Sequence, residues 1–173
     1  MSLANDLLID GFSRVQASVH DAVGGLTPGQ LEFRVDPGAN TVAWLVWHLA
    51  RVQDDHIADV AGSEQVWRSD GWVTRFDLPF DASVIGFGQT SDEVAEVRVE
   101  SGELLTGYYD AVHEKTVAYL GGLADNDYER VVDETWDPPV TLAARLVSIL
   151  NDDTQHVGQA AFLRGVIDRS GVK

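Results

Sequence analysis

Apolar residues recur at spacings of three and four along four long stretches of this chain, a period that fits a helix and not a strand. Residues 3–23 put Leu8, Phe12, Val15, Val19 and Val23 on one stripe, and GGLTPGQ then ends the run. Residues 41–57, TVAWLVWHLARVQDDHI, carry Val42, Leu45, Leu49 and Val52 on a second stripe, with Trp44, His48 and His56 on the same side. Asn40 is the predicted N-cap of this helix, and Ala61-Gly62 its end. A third helix over about 101–121 holds Leu105, Tyr108, Val112 and Tyr119 and stops at Gly121-Gly122. The fourth follows DPP with Thr141 as its cap, and its stripe runs Leu142, Leu146, Ile149, Asp153, His156, Ala160, Leu163. Four such helices predict an all-α four-helix bundle, with residues 1–173 forming a single domain.

Residues 63–100 break the pattern. Trp67, Trp72, Phe76, Phe80 and Phe87 are scattered there among Gly, Pro, Asp and Ser, and only SDEVAEV suggests a helical turn. A connection of this length between helices two and three reads as a lid or functional loop. With 28 acidic against 12 basic residues, the net charge of −16 repels phosphate backbones, so nucleic acid is not an expected partner. The chain has no cysteine, which removes disulfides, thiolate metal sites and thiol nucleophiles; any metal must sit on imidazole and carboxylate. No secretory leader and no apolar run near the roughly 18 residues of a membrane span is visible, so a soluble cytoplasmic protein without a membrane partner is expected.

The fourth stripe is interrupted by NDDTQHVGQ. A core-facing aspartate beside a core-facing histidine calls for a compensating proton, cation or water, and a divalent metal supplies that compensation. Asp152 lies four residues before His156 and Asp153 three; both spacings stack on one helix face, and angle alone leans to Asp153, nearer the centre of the stripe. His48, flanked by Trp44, Leu45 and Val52, offers a desolvated neutral imidazole from helix two. Three such ligands leave coordination positions open, as catalytic sites do. His56 lies about two turns from His48, too far to share its ion, and reads as core or site rim. His20 and His113 sit at stripe edges and read as solvated, as does the Asp54-Asp55 pair; tryptophans 44, 47, 67, 72 and 136 read mostly as core. No nucleophile elbow, phosphate loop, HExxH helix or dinucleotide fingerprint is present.

TVAWLVWHLARVQDDHI together with SILNDDTQHVGQAAFLRG resembles the DinB/YfiT-like superfamily of metal-dependent bundle proteins, and within it the actinobacterial branch. That superfamily includes a mycothiol-dependent maleylpyruvate isomerase and a bacillithiol transferase. The resemblance implies a four-helix bundle with its metal between helices two and four. It also implies a ligand triad of His48, Asp152 and His156 within a pattern completed by Gly158 and Gln159, which moves the choice from Asp153 to Asp152. Aspartate at 152 departs from the common all-histidine triad, as a carboxylate does in the mycothiol isomerase. Such a site suits zinc or nickel, and also manganese or ferrous iron.

By this resemblance the chain is expected to be a metal-dependent enzyme that transfers or isomerises a small electrophile with a thiol cosubstrate such as mycothiol. Arg164 and Gln159 are candidate contacts for the small-molecule substrate, and the aromatic 63–100 segment is a candidate lid. Pairing into a homodimer is a further expectation. The alternatives are a metal-dependent hydrolase on the same ligands, or a non-catalytic bundle that binds a small molecule or a partner.

Overall fold

A computed structural model describes residues 2–171. The long helices are α1 (Leu3–Val23), α3 (Val42–Ala61), α7 (Gly102–Gly121) and α8 (Leu142–Ser170). Short helices α2 (Pro28–Leu31), α4 (Val66–Ser69), α5 (Trp72–Phe76) and α6 (Ser91–Ala95) lie in the connections. A 3-10 turn at Asp125–Glu129 follows α7. An antiparallel ribbon, which the periodicity does not foreshadow, then pairs β1 (Val131–Asp133) with β2 (Val140–Thr141). None of the described helices is long and apolar enough to cross a membrane.

The predicted four-helix bundle is present. Each of α1 and α3 packs against both α7 and α8, so α1 faces α3 across one diagonal and α7 faces α8 across the other. The long 63–100 connection therefore joins neighbours, α3 and α7, and the shorter links span the diagonals. What the connection does is cover α3. Every residue from Thr41 to Asp54 is buried, the condition of a helix surrounded on all sides. Trp67, Trp72 and Phe76 from the connection sit in the main core with Tyr108, and Trp136 alone among the five tryptophans is exposed.

Two sequence expectations are corrected here. The N-cap of α3 is Thr41, not Asn40: its extended backbone lets its hydroxyl accept from the Trp44 amide at 3.0 Å. Asp54, expected on a solvated face, is buried and holds the connection to the bundle. Its carboxylate accepts from the Val66 and Trp67 amides at 2.8 and 2.7 Å, supplying the cap that α4 lacks on its own. The Tyr108 hydroxyl donates to the same carboxylate at 2.8 Å. Arg51, fully buried, reaches the Val84 and Ala82 carbonyls, the Gln65 side chain and the Tyr108 oxygen. Asp55 is half-buried and accepts from Gln65 at 2.7 Å.

Tyr108→Phe removes both of its contacts and leaves a buried carboxylate oxygen short of a donor. Such a loss costs about 1–3 kcal/mol, so the midpoint of urea unfolding should fall with no change in slope. An unchanged midpoint would show that the Asp54 carboxylate does not depend on α7.

Candidate metal centre

The seam between α3 and α8 carries the imidazoles. His48 is 6 % exposed and stacks on Trp44 one turn earlier, ring centroids 4.4 Å apart and 16° from parallel. Its Nδ1 lies 2.5 Å from the Ile85 carbonyl. A carbonyl only accepts, so Nδ1 carries the proton and Nε2 is left with the free lone pair. The Trp44 indole is held in turn, its Nε1 donating to the Gln89 side chain at 2.7 Å. Residues 85–89 of the connection thus grip the second helix at its histidine.

On α8, His156 Nδ1 donates to the Asp152 carbonyl at 2.9 Å, which again frees Nε2. The two imidazoles meet edge to face, with centroids 4.7 Å apart. His48, Asp152 and His156 offer ligand atoms that all lie within 4.8 Å of one another. The structure brings together the three residues implied by the resemblance, and Asp152 rather than Asp153 completes the cluster. Asp153, favoured by angle alone, is fully buried near Tyr109, and neither of its oxygens has a hydrogen-bond partner.

Electrostatics within the cluster are set by burial and by the contact between Asp152 and His156. Burial, the largest influence, pulls the His48 ring below the ordinary imidazole value, and His156 adds to the effect. Burial acts to raise the Asp152 carboxyl, but the contact with His156 and the nearby imidazoles overturn it, and the carboxyl ends below its usual range. For His156 burial acts downward, and the Asp152 side chain and carbonyl reverse it. An anionic carboxylate thus faces two imidazoles, and its Oδ2 is buried without a hydrogen-bond partner, 3.3 Å from His156 Nδ1. Two free Nε2 lone pairs and an orphaned carboxylate oxygen fit a divalent cation: each ring is oriented through its other nitrogen by a carbonyl, as metal-binding histidines usually are.

The cluster opens into a cavity of about 310 Å³ lined by His48, Val52, His56, Ile85, Phe87 and Asp152, among others. His56 stands on its rim, and burial chiefly holds its ring below the ordinary value. Phe87 is 90 % exposed at the mouth. Of the 63–100 connection only this short strap approaches the site; the aromatics expected in a lid are mostly core. Gln159 lines a separate apolar groove of about 510 Å³ with Leu45, Phe162 and Leu163. Arg164 is not brought to the cluster. Its guanidinium is engaged by Asp168 at 3.0 Å and by the Gly24 and Asp21 carbonyls, so it ties α8 to the end of α1. His20 pairs with Asp110 at 2.8 Å, and His113 is half-buried against Ser13 rather than solvated. The Ile85 carbonyl, Gln89 and Gly86 escaped sequence reasoning, because a backbone acceptor and a glycine on an aperiodic strap leave no pattern to read.

Comparison with known proteins agrees with this architecture. A crystal structure of a conserved protein from Enterococcus faecalis superposes with a TM-score of 0.88 at 30% identity, covering 95% of this chain and 96% of that one. A DinB-like protein from Bacillus cereus shares the fold, with a TM-score of 0.61 and 16% identity over 96% of this chain and 92% of its own. No curated protein matches the chain. The family model described as MST, Mycothiol-S-transferase, matches residues 7–169, so nearly the whole chain is accounted for, and the chain belongs to that family.

Proposed function

We propose that this protein is a divalent-metal-dependent thiol S-transferase, with His48, Asp152 and His156 as the metal ligands. The observation that carries this reading is the clustering of His48, Asp152 and His156, their ligand atoms within 4.8 Å of one another, with the Asp152 Oδ2 buried and unpartnered beside a cavity. A divalent ion held there supplies Lewis acidity that brings the pKa of a bound thiol or water toward neutrality. Zinc or nickel suits two imidazoles and a carboxylate, and manganese or ferrous iron is also compatible.

The chain's own residues do the rest. The Ile85 and Asp152 carbonyls fix both rings so that Nε2 faces the site. Val52, Ile85 and Ile149 wall the cavity with apolar surface that sheds water, leaving room for a small electrophile. His56, held neutral on the rim, is a base toward which a thiol proton can pass. In the transfer the S–H bond breaks, a sulfur–carbon bond forms to the electrophile, and the leaving group departs with its electron pair and takes up the proton. The family description supports mycothiol as the thiol.

The test is product analysis with monobromobimane as electrophile and mycothiol as thiol. Fluorescent conjugate should form well above the uncatalysed rate with metal-loaded protein, and only at the uncatalysed rate after chelation. Consumption of a hydrolysable electrophile without thiol, at the same rate as with it, would favour the hydrolase instead.

A further inference from the structure

Gly158 stands well inside α8, where a glycine weakens a helix relative to alanine. Its backbone does not require glycine: it is helical, with none of the positive φ of Gly86 or Gly88. Packing does not require it either. Gly11, Gly107 and Gly165, also inside long helices, each face a side chain that a Cβ would meet at 2.8, 3.1 and 3.0 Å. At Gly158 a Cβ would meet nothing within 4 Å. That open space belongs to the groove of about 510 Å³ between α8 and the segment leading into α3, with Leu45 and Leu163 buried beneath it and Val35 and Phe162 exposed along it. We propose that this groove binds an uncharged small molecule with an apolar body and a hydrogen-bonding edge, at a site separate from the metal cavity. The assignment goes beyond the S-transferase reading and stands whether or not the cluster holds metal.

The lining selects the occupant. None of its residues is charged, in a chain with 28 acidic and 12 basic residues. An ionised ligand would leave water for a surface without a counter-charge, and an anion would also meet the repulsion of a net charge of −16. The polar groups are neutral. The side-chain amides of Asn40 and Gln159 make no hydrogen bond to another described residue, so each offers a donor and an acceptor to a carbonyl, hydroxyl or amide. The volume falls within the roughly 300–1,000 Å³ of small-molecule sites. A second copy of the chain is the rival occupant, and the apolar surface is too narrow for it. Of the large apolar side chains exposed among the described residues, only Val35 and Phe162 line the groove, whereas a stable pair buries about 800 Å² on each partner.

The test uses two fluorescent probes that differ by a sulfonate: N-phenylnaphthylamine, uncharged with one N–H, and anilinonaphthalene sulfonate. On the whole protein the uncharged probe should saturate a single site and bind about tenfold or more tightly than the sulfonate. Chelation should leave both affinities within about twofold, which separates this site from the metal reading. Gly158→Leu, which fills the groove, and Phe162→Ser, which removes a wall, should each weaken the uncharged probe about tenfold. Both positions are exposed, so the fold should survive, and urea unfolding checks it. Gly158→Ala should raise the urea midpoint, as expected where a glycine serves the groove and not the fold; a lowered midpoint would trace the glycine to folding and overturn that support. Equal affinity for the two probes, or uncharged-probe binding unaltered in both Gly158→Leu and Phe162→Ser, overturns the proposal. So does a dimer in sedimentation velocity that either variant splits, because the face would then belong to a second copy.

Discussion

In His48→Ala, His156→Ala and Asp152→Ala the metal content is expected to fall from about one ion per chain to below about a tenth, since even oriented outer partners of metal ligands are worth 10–100-fold in affinity. His56→Ala, His113→Ala and Asp153→Asn should keep their metal. The physical ground is which faces the side chains occupy. Asp152 offers an oxygen within 4.8 Å of a nitrogen of each imidazole, whereas Asp153 is fully buried near Tyr109. Burial, helped by the neighbouring Asp152, pushes the Asp153 carboxyl well above its usual range, so it is held neutral and is a poor cation ligand. Elemental mass spectrometry of each variant, beside its circular dichroism, decides the matter. Loss of metal in Asp153→Asn with retention in Asp152→Ala would reverse the assignment. Metal-free wild type that takes up no zinc, nickel, manganese or ferrous iron would end the metal-dependent reading.

The pair of aspartates also shows where sequence reasoning holds and where it stops. Periodicity placed the long helices nearly to the residue, because their ends carry strong signals: Gly62 in the left-handed conformation after α3, and the Thr141 hydroxyl accepting from Ala144 at the start of α8. Angle on the stripe favours Asp153, whereas the cluster with the two imidazoles holds Asp152. The centre of a stripe points into the bundle core, and a site built between two helices uses the edge nearest the partner, which is where Asp152 lies. Only the resemblance to the DinB/YfiT-like pattern picked it out.

Asp54 failed for the opposite reason. Its charge and its acidic neighbour argue for solvent, and nothing local reveals that α4 will present two free amides to it. The connection between α3 and α7 is opaque as a whole. Its order comes from Arg51 and Asp54, residues on another element, and from tryptophans whose burial follows no period. Fold class was therefore legible in the chain, and so were the histidines of the cluster. The strap that aims His48 was not.

That strap carries the second large expected effect. Gly86→Ala should lower metal affinity about 10–100-fold, the range for disturbing a ligand's orienting partner, whereas Gly88→Ala should leave it within about twofold, having no such partner to disturb. Both glycines have positive φ, +98° and +75°, so both substitutions incur the backbone strain of an L-residue in that region. They differ in what a Cβ would meet. At Gly86 it would lie 2.6 Å from His48 Nδ1, with the Trp47 and Trp44 rings at 3.1 and 3.2 Å; at Gly88 nothing lies within 4 Å. The strap and the imidazole cannot both stay in place, and a shift of either breaks the Nδ1–H to Ile85 carbonyl bond that fixes the ring. Competition with a chelator of known affinity gives the metal constants, and urea unfolding of the metal-free proteins gives the strain that the two variants share. An equal loss of affinity in both variants would trace the effect to general loosening of the strap. A loss confined to Gly86→Ala shows that close approach of a side-chain-free backbone to His48 is what prepares this helix to bind metal.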